Sequence, residues 1–243
     1  KLDATRLPTG TLRLTGARGD VRKLPGYDDG AWWVQDAAAA LPARLLGEVA
    51  GQRVFDLCAA PGGKTAQLAA AGAYVMAVDR SEARLRQLEG NLARLSLAAA
   101  TVAADIQSWT PPDTPQKILL DAPCTATGTL RRHPDIAHLK RPEDAASMAE
   151  LQAGLLGAAA EMLAPGGTLV YAVCSLEPEE GVERVAALLR DRTDFERAPI
   201  TADDLGVPAE AITDAGDLRT LPCHWAEQGG MDGFYAARLR KRV

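Results

Sequence analysis

A turn rich in glycine and small residues, Asp56 to Thr65 with the sequence DLCAAPGGKT, is the part of the chain best suited to hold a cofactor. Apolar residues at 54–57 predict a buried strand before the turn, and the alanine-rich residues 65–71 predict a helix after it. Backbone amides at the start of such a helix point toward a ligand beyond the end of the strand. The segment therefore predicts binding of a nucleotide-like cofactor.

Two types of nucleotide-binding loop match this general description: a loop that holds phosphates and a loop that holds an adenosyl cofactor. The phosphate loop requires a glycine five residues before its Gly-Lys-Thr triplet. Cys58 occupies that position in this chain, so the phosphate pattern fails at its first residue. The sequence favours the adenosyl cofactor.

Asp79 is a candidate ligand for the ribose of such a cofactor. It lies 23 residues after Asp56, at the end of the next apolar stretch. An acidic residue near this offset accepts hydrogen bonds from ribose hydroxyls in dinucleotide-binding folds. The alternative role for Asp79 is to cap the helix that we expect to begin near Ser81. Arg84, in the first turn of that helix, either covers the cofactor or lies on a solvated helix face.

The cysteines of the chain are Cys58, Cys124, Cys174 and Cys223. They lack the paired Cys-x-x-Cys spacing of zinc sites. A disulfide framework is not expected in a chain long enough to build a full hydrophobic core. We therefore expect reduced thiols that are available for chemistry, and no bound metal.

Short apolar runs alternate with helical stretches, which predicts an α/β fold with a doubly wound, largely parallel sheet. The predicted strands are residues 54–57, 74–78, 101–104, 117–120 and 168–173. The residues that directly follow the last four of them are Asp79, Asp105, Asp121 and Cys174. Ligands bind beyond the carboxyl ends of the strands in such sheets, so we expect these four side chains to share one edge.

The predicted helices and the remaining elements complete this arrangement. Residues 81–95, 142–163 and 178–190 predict helices. Residues 194–218 show no clear period and predict a loop with short helical pieces. Residues 230–239 predict a turn into a final strand.

The composition sets the size and class of the protein. With 243 residues and 47% hydrophobic composition, the chain is long enough to bury a full core as one α/β domain. We expect residues 1–48 to form an N-terminal segment that packs on the core, and residues 49–243 to form the cofactor-binding domain. The sequence shows neither an apolar run of membrane-spanning length nor a signal region, which predicts a soluble cytoplasmic protein. Lys1 stands in place of an initiating methionine, which is consistent with a piece of a longer protein.

The net charge of −5 is unevenly distributed. Residues 176–217 contain twelve acidic and four basic residues, which leaves the rest of the chain with a net charge of +3. Basic residues gather at Arg131-Arg132, at Lys140-Arg141 and in the tail at 238–242. These clusters are interpreted either as contacts with nucleic acid or as solvated surface charge.

Three segments occur as an ordered set: residues 56–65, residues 121–128 with 131–135, and residues 171–175. Together they resemble the three signatures of the Sun-type RNA cytosine-5 methyltransferases, the family that includes bacterial RsmB-like rRNA enzymes. Residues 34–38, 218–222 and 229–234 are also similar to family segments. The resemblance therefore runs from about residue 26 to the end of the chain.

The resemblance implies a Rossmann-like class I methyltransferase fold, with a mostly parallel seven-stranded sheet flanked by helices. It implies S-adenosyl-L-methionine as the cofactor and RNA as the partner, with 16S small-subunit rRNA as the expected substrate. It also implies a monomer that uses neither a membrane nor a metal. Family members often carry an additional N-terminal RNA-binding domain of NusB type. The alternatives are a tRNA substrate, a DNA substrate, and an RNA-binding assembly factor without turnover.

The resemblance also assigns roles to individual residues. Cys174 is the expected nucleophile, Cys124 the helper in proton removal or product release, and Asp121 a catalytic carboxylate between the methionine part of the cofactor and the target base. The expected cofactor contacts are Cys58, Ala59, Ala60, Pro61, Gly62, Gly63, Lys64, Asp79, Arg84, Asp105 and Asp121, with Asp105 facing the adenine. Three roles stay open for Lys64: it neutralises Asp121, contacts the substrate, or supports the turn.

Methylation of carbon 5 of cytosine requires a thiolate because that carbon is a poor nucleophile in the aromatic ring. Addition of a sulfur atom to carbon 6 makes carbon 5 able to attack an electrophilic methyl group. The resemblance gives this role to Cys174. DNA cytosine methyltransferases use the cysteine of a Pro-Cys motif instead, which is Cys124 in this chain, and covalent chemistry alone permits either thiol.

Overall fold

A mostly parallel β-sheet forms the centre of the protein and carries the residues that the sequence marks as functional. The computed structural model describes residues 2–16 and 19–243. Its strands are β1 (Ala4–Arg6), β2 (Leu12–Leu14), β3 (Arg53–Leu57), β4 (Tyr74–Asp79), β5 (Ala100–Ala103), β6 (Lys117–Asp121), β7 (Thr168–Val173), β8 (Phe195–Arg197), β9 (Leu218–Thr220) and β10 (Phe234–Lys241). Its α-helices are α1 (Leu41–Arg44), α2 (Gly63–Ala70), α3 (Glu82–Arg94), α4 (Ile136–Leu139), α5 (Pro142–Met162), α6 (Val182–Asp191) and α7 (Ala202–Leu205).

Within the described residues the central sheet has the strand order β5-β4-β3-β6-β7-β10-β8, and the short β9 pairs with β10 beside this path. Strands β3 to β7 pair in parallel, whereas β10 is antiparallel to β7, β8 and β9. The predicted α/β class and the mostly parallel path of seven strands are therefore confirmed, with β9 as an additional short strand. Strands β1 and β2 form a separate antiparallel pair.

Helices cover both faces of the sheet, which explains why its central strands are mostly apolar. Val54 and Leu119 pack in one buried cluster with residues of α1 and α2. Their chain neighbours Phe55 and Ile118 belong to a second buried cluster with residues of α5 and α6. Consecutive strand residues point to opposite faces, so a strand buried on both faces is apolar on both. Asp56, buried in β3, is the exception and has a hydrogen-bond partner in Thr65.

The longer predicted helices are observed, and the short elements differ from prediction. Helix α3 begins after Ser81, whose side chain accepts a hydrogen bond from the Arg84 amide at 3.4 Å. Helix α5 matches the prediction for 142–163. The predicted helix at 178–190 is divided into a 3₁₀ turn, Pro178–Glu180, and α6. Residues 194–218, predicted to be a loop with helical pieces, contain α7 and also the strands β8 and the start of β9.

None of the helices in the two described ranges combines the length and the apolar character needed to cross a bilayer.

Replacement of Phe55 by alanine tests the position of the core. The Phe55 ring is fully buried and packs on Trp109 with ring centroids 5.6 Å apart. We expect Phe55→Ala to lower the free energy of unfolding by about 3–5 kcal/mol, the usual cost of the cavity that such a change leaves. Urea denaturation followed by circular dichroism measures it. Tyr74→Ala on the neighbouring strand is the matched control because Tyr74 is 71% exposed. Equal losses in the two variants would contradict this assignment of the core.

Candidate active site

The glycine-rich turn between β3 and α2 requires a glycine at position 62. Gly62 has a φ of +99° and directly precedes α2. A Cβ atom at this position would lie 2.6 Å from the Leu88 side chain of α3. The amide of Ala59 donates to the carbonyl of Val78 at 3.1 Å, which fixes the turn against β4. Contacts with α3 and with β4 therefore hold the turn in place.

Asp56 fixes the turn by joining its two ends. Its buried carboxylate accepts a hydrogen bond from Thr65 Oγ1 at 2.6 Å, across the nine residues of the turn. Burial raises the pKa of Asp56 to about 7, against the opposing effect of the Thr65 hydrogen bond. Asp56 ties the end of β3 to α2 and does not line the cavity described next.

A cavity of about 290 Å³ opens at the carboxyl ends of β3, β4, β5, β6 and β7. The predicted site residues that line it are Cys58, Ala60, Pro61, Asp79, Arg84, Asp105, Asp121, Cys124 and Cys174. The fold thus brings together residues from five separate parts of the chain, as expected for an open α/β sheet.

Four residues predicted to contact the cofactor belong to the same turn but not to the cavity wall: Ala59, Gly62, Gly63 and Lys64. Ala59 is turned toward β4, and Gly62 packs against Leu88. Gly63 faces Gln35, and the Lys64 side chain leads toward Asp121. Their observed contacts support the turn rather than border the cavity.

Sequence reasoning missed other residues of the cavity wall: Arg80, Ala104, Ile106, Gln107, Ala122, Pro123, Ala126, Leu151 and Leu155. Most of them lie within two residues of Asp79, Asp105, Asp121 or Cys124. Proximity in sequence to these predicted site residues could therefore have identified them. Leu151 and Leu155 are four residues apart on α5, a spacing that places both on one side of the helix.

Asp79 is held rigidly at the rim of the cavity. One carboxylate oxygen accepts from the Ser81 amide at 3.0 Å and the other from the Ala60 amide at 3.1 Å. Arg84 lies 3.7 Å from the carboxylate and donates to the carbonyl of Ala60. Asp79 therefore joins the glycine-rich turn to the start of α3, and it lines the cavity at the same time.

Lys64 and Asp121 form an ion pair beside the cavity. Their nitrogen and oxygen atoms are 2.7 Å apart, and the Lys64 side chain is almost completely buried. The ammonium group also lies 5.0 Å from the centre of the Phe234 ring. Of the three roles left open for Lys64, this geometry favours charge neutralisation of Asp121.

The two cysteines of the second and third signatures meet at the cavity wall. The Sγ atoms of Cys124 and Cys174 are 3.4 Å apart although fifty residues separate them in sequence. Parallel pairing of β6 with β7 places Asp121 opposite Ala172, so the loops that follow the two strands begin side by side. The carbonyl of Cys174 also accepts from the Gly128 amide at 3.0 Å, which joins the two loops.

The environments of the two thiols differ in a way that separates their chemistry. The hydrogen bond with Cys124 lowers the pKa of Cys174 against the opposing effect of burial, while the charge of Asp121 raises it and the charge of its partner Lys64 lowers it. The same hydrogen bond raises the pKa of Cys124, and burial adds to the effect. Of the two thiols, Cys174 is therefore the one that loses its proton more readily. Burial raises the pKa of Cys58 to about 12, which keeps that third thiol protonated.

The basic residues beside the cysteine loop are partly neutralised. Arg131 pairs with Asp36 at 2.9 Å, and Arg132 pairs with Asp232 at 2.5 Å. Lys140 and Arg141 are exposed. The Arg131-Arg132 cluster thus joins the second signature to Asp36 and Asp232, in the N-terminal and C-terminal parts of the chain.

In the part of the chain that the structure describes, no three His, Cys, Asp or Glu side chains converge in a way that would hold a metal ion.

Removal of the Cys124 thiol tests the difference between the two cysteines. We expect Cys124→Ala to raise the pH at which Cys174 becomes reactive by about 1–2 units, because a hydrogen bond to a charged group contributes about 1.5–3 kcal/mol. The rate of Cys174 alkylation by iodoacetamide as a function of pH, followed by peptide mass spectrometry, measures this shift. Cys223→Ala removes an exposed thiol and serves as the control. An unchanged Cys174 profile in Cys124→Ala would contradict the assignment.

Comparison with known proteins agrees with the geometry of the site. Residues 43–240 match the family model for 16S rRNA methyltransferase RsmB/F. The chain is 43% identical over 228 residues to ribosomal RNA small subunit methyltransferase B of Vibrio cholerae serotype O1, which covers 92% of this chain and 49% of that protein. The chain spans about half the length of the curated relatives it matches.

Solved structures with the same fold extend the comparison. PH0851 superposes with a TM-score of 0.88 at 27% identity, covering 99% of this chain and 54% of that one. NSun6 from Pyrococcus horikoshii with SFG superposes with a TM-score of 0.79 at 27% identity, covering 93% of this chain and 57% of that one. The family match and the identity across most of the chain confirm the resemblance predicted from the three signatures: this chain belongs to the 16S rRNA methyltransferase RsmB/F family.

Proposed function

We propose that this chain transfers a methyl group from S-adenosylmethionine to carbon 5 of a cytosine in 16S small-subunit rRNA, with Cys174 as the nucleophile. The observation that carries the proposal is the cysteine pair, with sulfur atoms 3.4 Å apart, in the wall of a cavity that the glycine-rich turn also lines. Family membership supports methyl transfer to rRNA.

The residues of the cavity fit an adenosyl cofactor. Asp79 and Asp105 end or follow neighbouring strands, and both line the cavity. Each carboxylate oxygen of Asp79 accepts one N–H group and keeps a second lone pair, which is available to a ribose hydroxyl. Ala104 and Ile106 offer apolar surface beside Asp105 for the adenine ring. When bound, S-adenosylmethionine supplies an electrophilic methyl group attached to a sulfonium.

Cys174 activates the cytosine. Its thiolate adds to carbon 6, the new carbon–sulfur bond gives carbon 5 enamine character, and carbon 5 takes up the methyl group as the bond between that methyl and the sulfonium sulfur breaks, which would leave a neutral thioether. Transfer of the carbon-5 proton to solvent water and expulsion of the Cys174 thiolate restore the aromatic ring. The hydrogen bond from Cys124 favours the thiolate that begins and ends this sequence, and Lys64 offsets part of the opposing charge of Asp121.

Cys124 assists the release of the product. Its raised pKa keeps it as a thiol, so it is a hydrogen-bond donor rather than a base near the Cys174 sulfur. A donor at that distance stabilises the negative charge that returns to Cys174 when the carbon–sulfur bond breaks. Cys124 is therefore better suited to product release than to proton removal.

Asp121 orients the target base. It lies three residues before Cys124 and lines the same cavity as both cysteines. Its carboxylate is able to accept hydrogen bonds from the amino group of cytosine and from the ring nitrogen, which becomes protonated as the thiolate adds. Lys64 supplies the opposite charge at 2.7 Å and fixes the direction of the carboxylate.

The remaining predictions form part of the same proposal. Carbon 6 must be approached from the face of the ring, so the target cytosine is flipped or single-stranded. The exposed Lys140 and Arg141, near the second signature, are suited to contact RNA phosphates. We place the protein in the cytoplasm as a monomer, with residues 1–48 as a segment packed on the methyltransferase domain of residues 49–243.

Transfer of radiolabelled methyl groups tests the proposed reaction and substrate together. S-adenosylmethionine carrying the label is incubated with unmodified small-subunit rRNA, tRNA and DNA in parallel, and the nucleosides are then separated. We expect label in 5-methylcytidine from the rRNA. Label only in tRNA or DNA would reject the substrate, and label in another nucleoside would reject the reaction.

Replacement of each cysteine tests their division of labour. We expect Cys174→Ala to abolish methyl transfer, by at least about a thousandfold, because no other thiol occupies the position of the nucleophile. Cofactor affinity should stay nearly unchanged. We expect Cys124→Ala to accumulate a covalent protein–RNA complex that resists denaturing electrophoresis. An active Cys174→Ala variant combined with an inactive Cys124→Ala variant would reverse the assignment.

Replacement of Asp79 tests the position of the ribose. We expect Asp79→Ala to weaken binding of S-adenosylmethionine by about 1–3 kcal/mol, the range for a lost hydrogen bond to a charged group. Titration calorimetry measures it, with Asp191→Ala, an exposed acid of α6, as the control. Unchanged affinity in Asp79→Ala would remove this residue from the cofactor site.

A further inference from the structure

Glu180 is a fully buried carboxylate behind the two cysteine loops. It ends the 3₁₀ turn Pro178–Glu180, six residues after Cys174. None of the ion pairs found among the described residues includes it. Burying a carboxylate without an opposite charge is costly unless hydrogen bonds replace its water. The contacts of this residue therefore need an explanation.

The hydrogen bonds of Glu180 reach both cysteine loops. One carboxylate oxygen accepts from the amide of Thr125 at 2.9 Å, and the other accepts from the hydroxyl of Thr125 and from that of Ser175 at 2.6 Å. Thr125 directly follows Cys124, and Ser175 directly follows Cys174. A single side chain thus bonds to the neighbour of each catalytic thiol.

Further contacts fix Glu180 itself. Gln152 of α5 donates to the Glu180 carboxylate at 2.9 Å and to the carbonyl of Pro123 at 2.8 Å. The hydroxyl of Tyr171 donates to the Glu180 carbonyl at 2.6 Å. Contacts with α5 and β7 therefore fix Glu180, and its carboxylate in turn fixes the two cysteine loops.

We propose that Glu180 is a positioning residue that brings Cys124 and Cys174 into sulfur–sulfur contact by anchoring the loop of each. The inference rests on the proposed function, because it concerns the two thiols of that reaction. It gives a role to a residue that sequence reasoning placed only inside a predicted helix. It also explains why an ionisable side chain occupies a buried position between loops.

The charge of Glu180 adds an electrostatic consequence. The hydrogen bond to Cys174 and burial are the main causes of the raised pKa of Cys124, and the negative charge of Glu180 acts in the same direction. Glu180 thus favours the protonated form of Cys124, the form that donates to Cys174. Loss of the anchor should leave Cys174 without its donor and reduce its thiolate fraction at neutral pH.

The test compares Glu180→Gln with Glu179→Gln. Glutamine at position 180 keeps the shape of the side chain but has one acceptor oxygen, so it is unable to serve all the donors that face it. Glu179 is exposed and has the same charge one residue away, which makes Glu179→Gln the matched control. The readout is the alkylation rate of Cys174 against pH, measured by peptide mass spectrometry in the absence of RNA and cofactor. Melting temperature and the separate values of kcat and KM complete the comparison.

In Glu180→Gln we expect iodoacetamide to alkylate Cys174 about tenfold more slowly at pH 7. The midpoint of the alkylation rate against pH should move upward by about one pH unit. The value of kcat should fall while KM for S-adenosylmethionine changes little. Glu179→Gln should match the unaltered protein. A Glu180→Gln protein with an unchanged Cys174 profile would overturn the proposal.

A second pair of variants keeps the test decisive if Glu180→Gln does not fold. Thr125→Val removes one hydroxyl donor at nearly constant volume, and Thr125→Ser restores it. We expect slower Cys174 alkylation in the valine variant and recovery in the serine variant. If Glu180→Gln is unfolded and Cys174 in Thr125→Val is alkylated at the rate of the unaltered protein, Glu180 has only a structural role and the proposal is wrong. Because alkylation needs no substrate, a failure of methyl transfer in the unaltered protein would reject the proposed function without affecting this readout.

Discussion

Parallel pairing of β6 with β7 is the constraint on which the site depends. The register that sets Asp121 opposite Ala172 makes the loops after the two strands start at the same level. Cys124 and Cys174 therefore converge although each is introduced by a different βα unit. A shift of this register by one residue would reverse the faces of a strand that is buried on both sides and would separate the sulfur atoms. The apolar faces that bury β6 and β7 thus also determine the chemistry at their ends.

The surroundings of the cysteine pair give two identical side chains different tendencies to lose a proton. Lys64 favours negative charge on Cys174, whereas Glu180 disfavours it on Cys124. In the proposed reaction, the contact of 3.4 Å makes Cys124 the donor and Cys174 the acceptor. This contact requires rigid loops, because a hydrogen bond weakens steeply with distance and angle.

Much of this arrangement could be predicted from the sequence, and the rest depends on tertiary contacts. The strands with continuous apolar runs and the helices with clear caps were recognisable, as was the edge that collects Asp79, Asp105, Asp121 and Cys174. Strand β8 was not recognisable, because its three residues are too few to show an alternation of apolar and polar side chains. Its strand conformation depends on pairing with β10, which is distant in sequence. Sequence spacing also gave no sign that Glu180 bonds to Thr125, since fifty-five residues separate them.

The central claim is that Cys174, and not Cys124, bonds to the base. Small-subunit rRNA transcribed with 5-fluorocytidine in place of cytidine tests it directly, because fluorine at carbon 5 prevents the proton loss that releases the enzyme. The protein is incubated with this RNA and S-adenosylmethionine, digested, and mapped by tandem mass spectrometry. The account predicts a nucleotide adduct on the peptide that contains Cys174. An adduct on the peptide that contains Cys124 would contradict it.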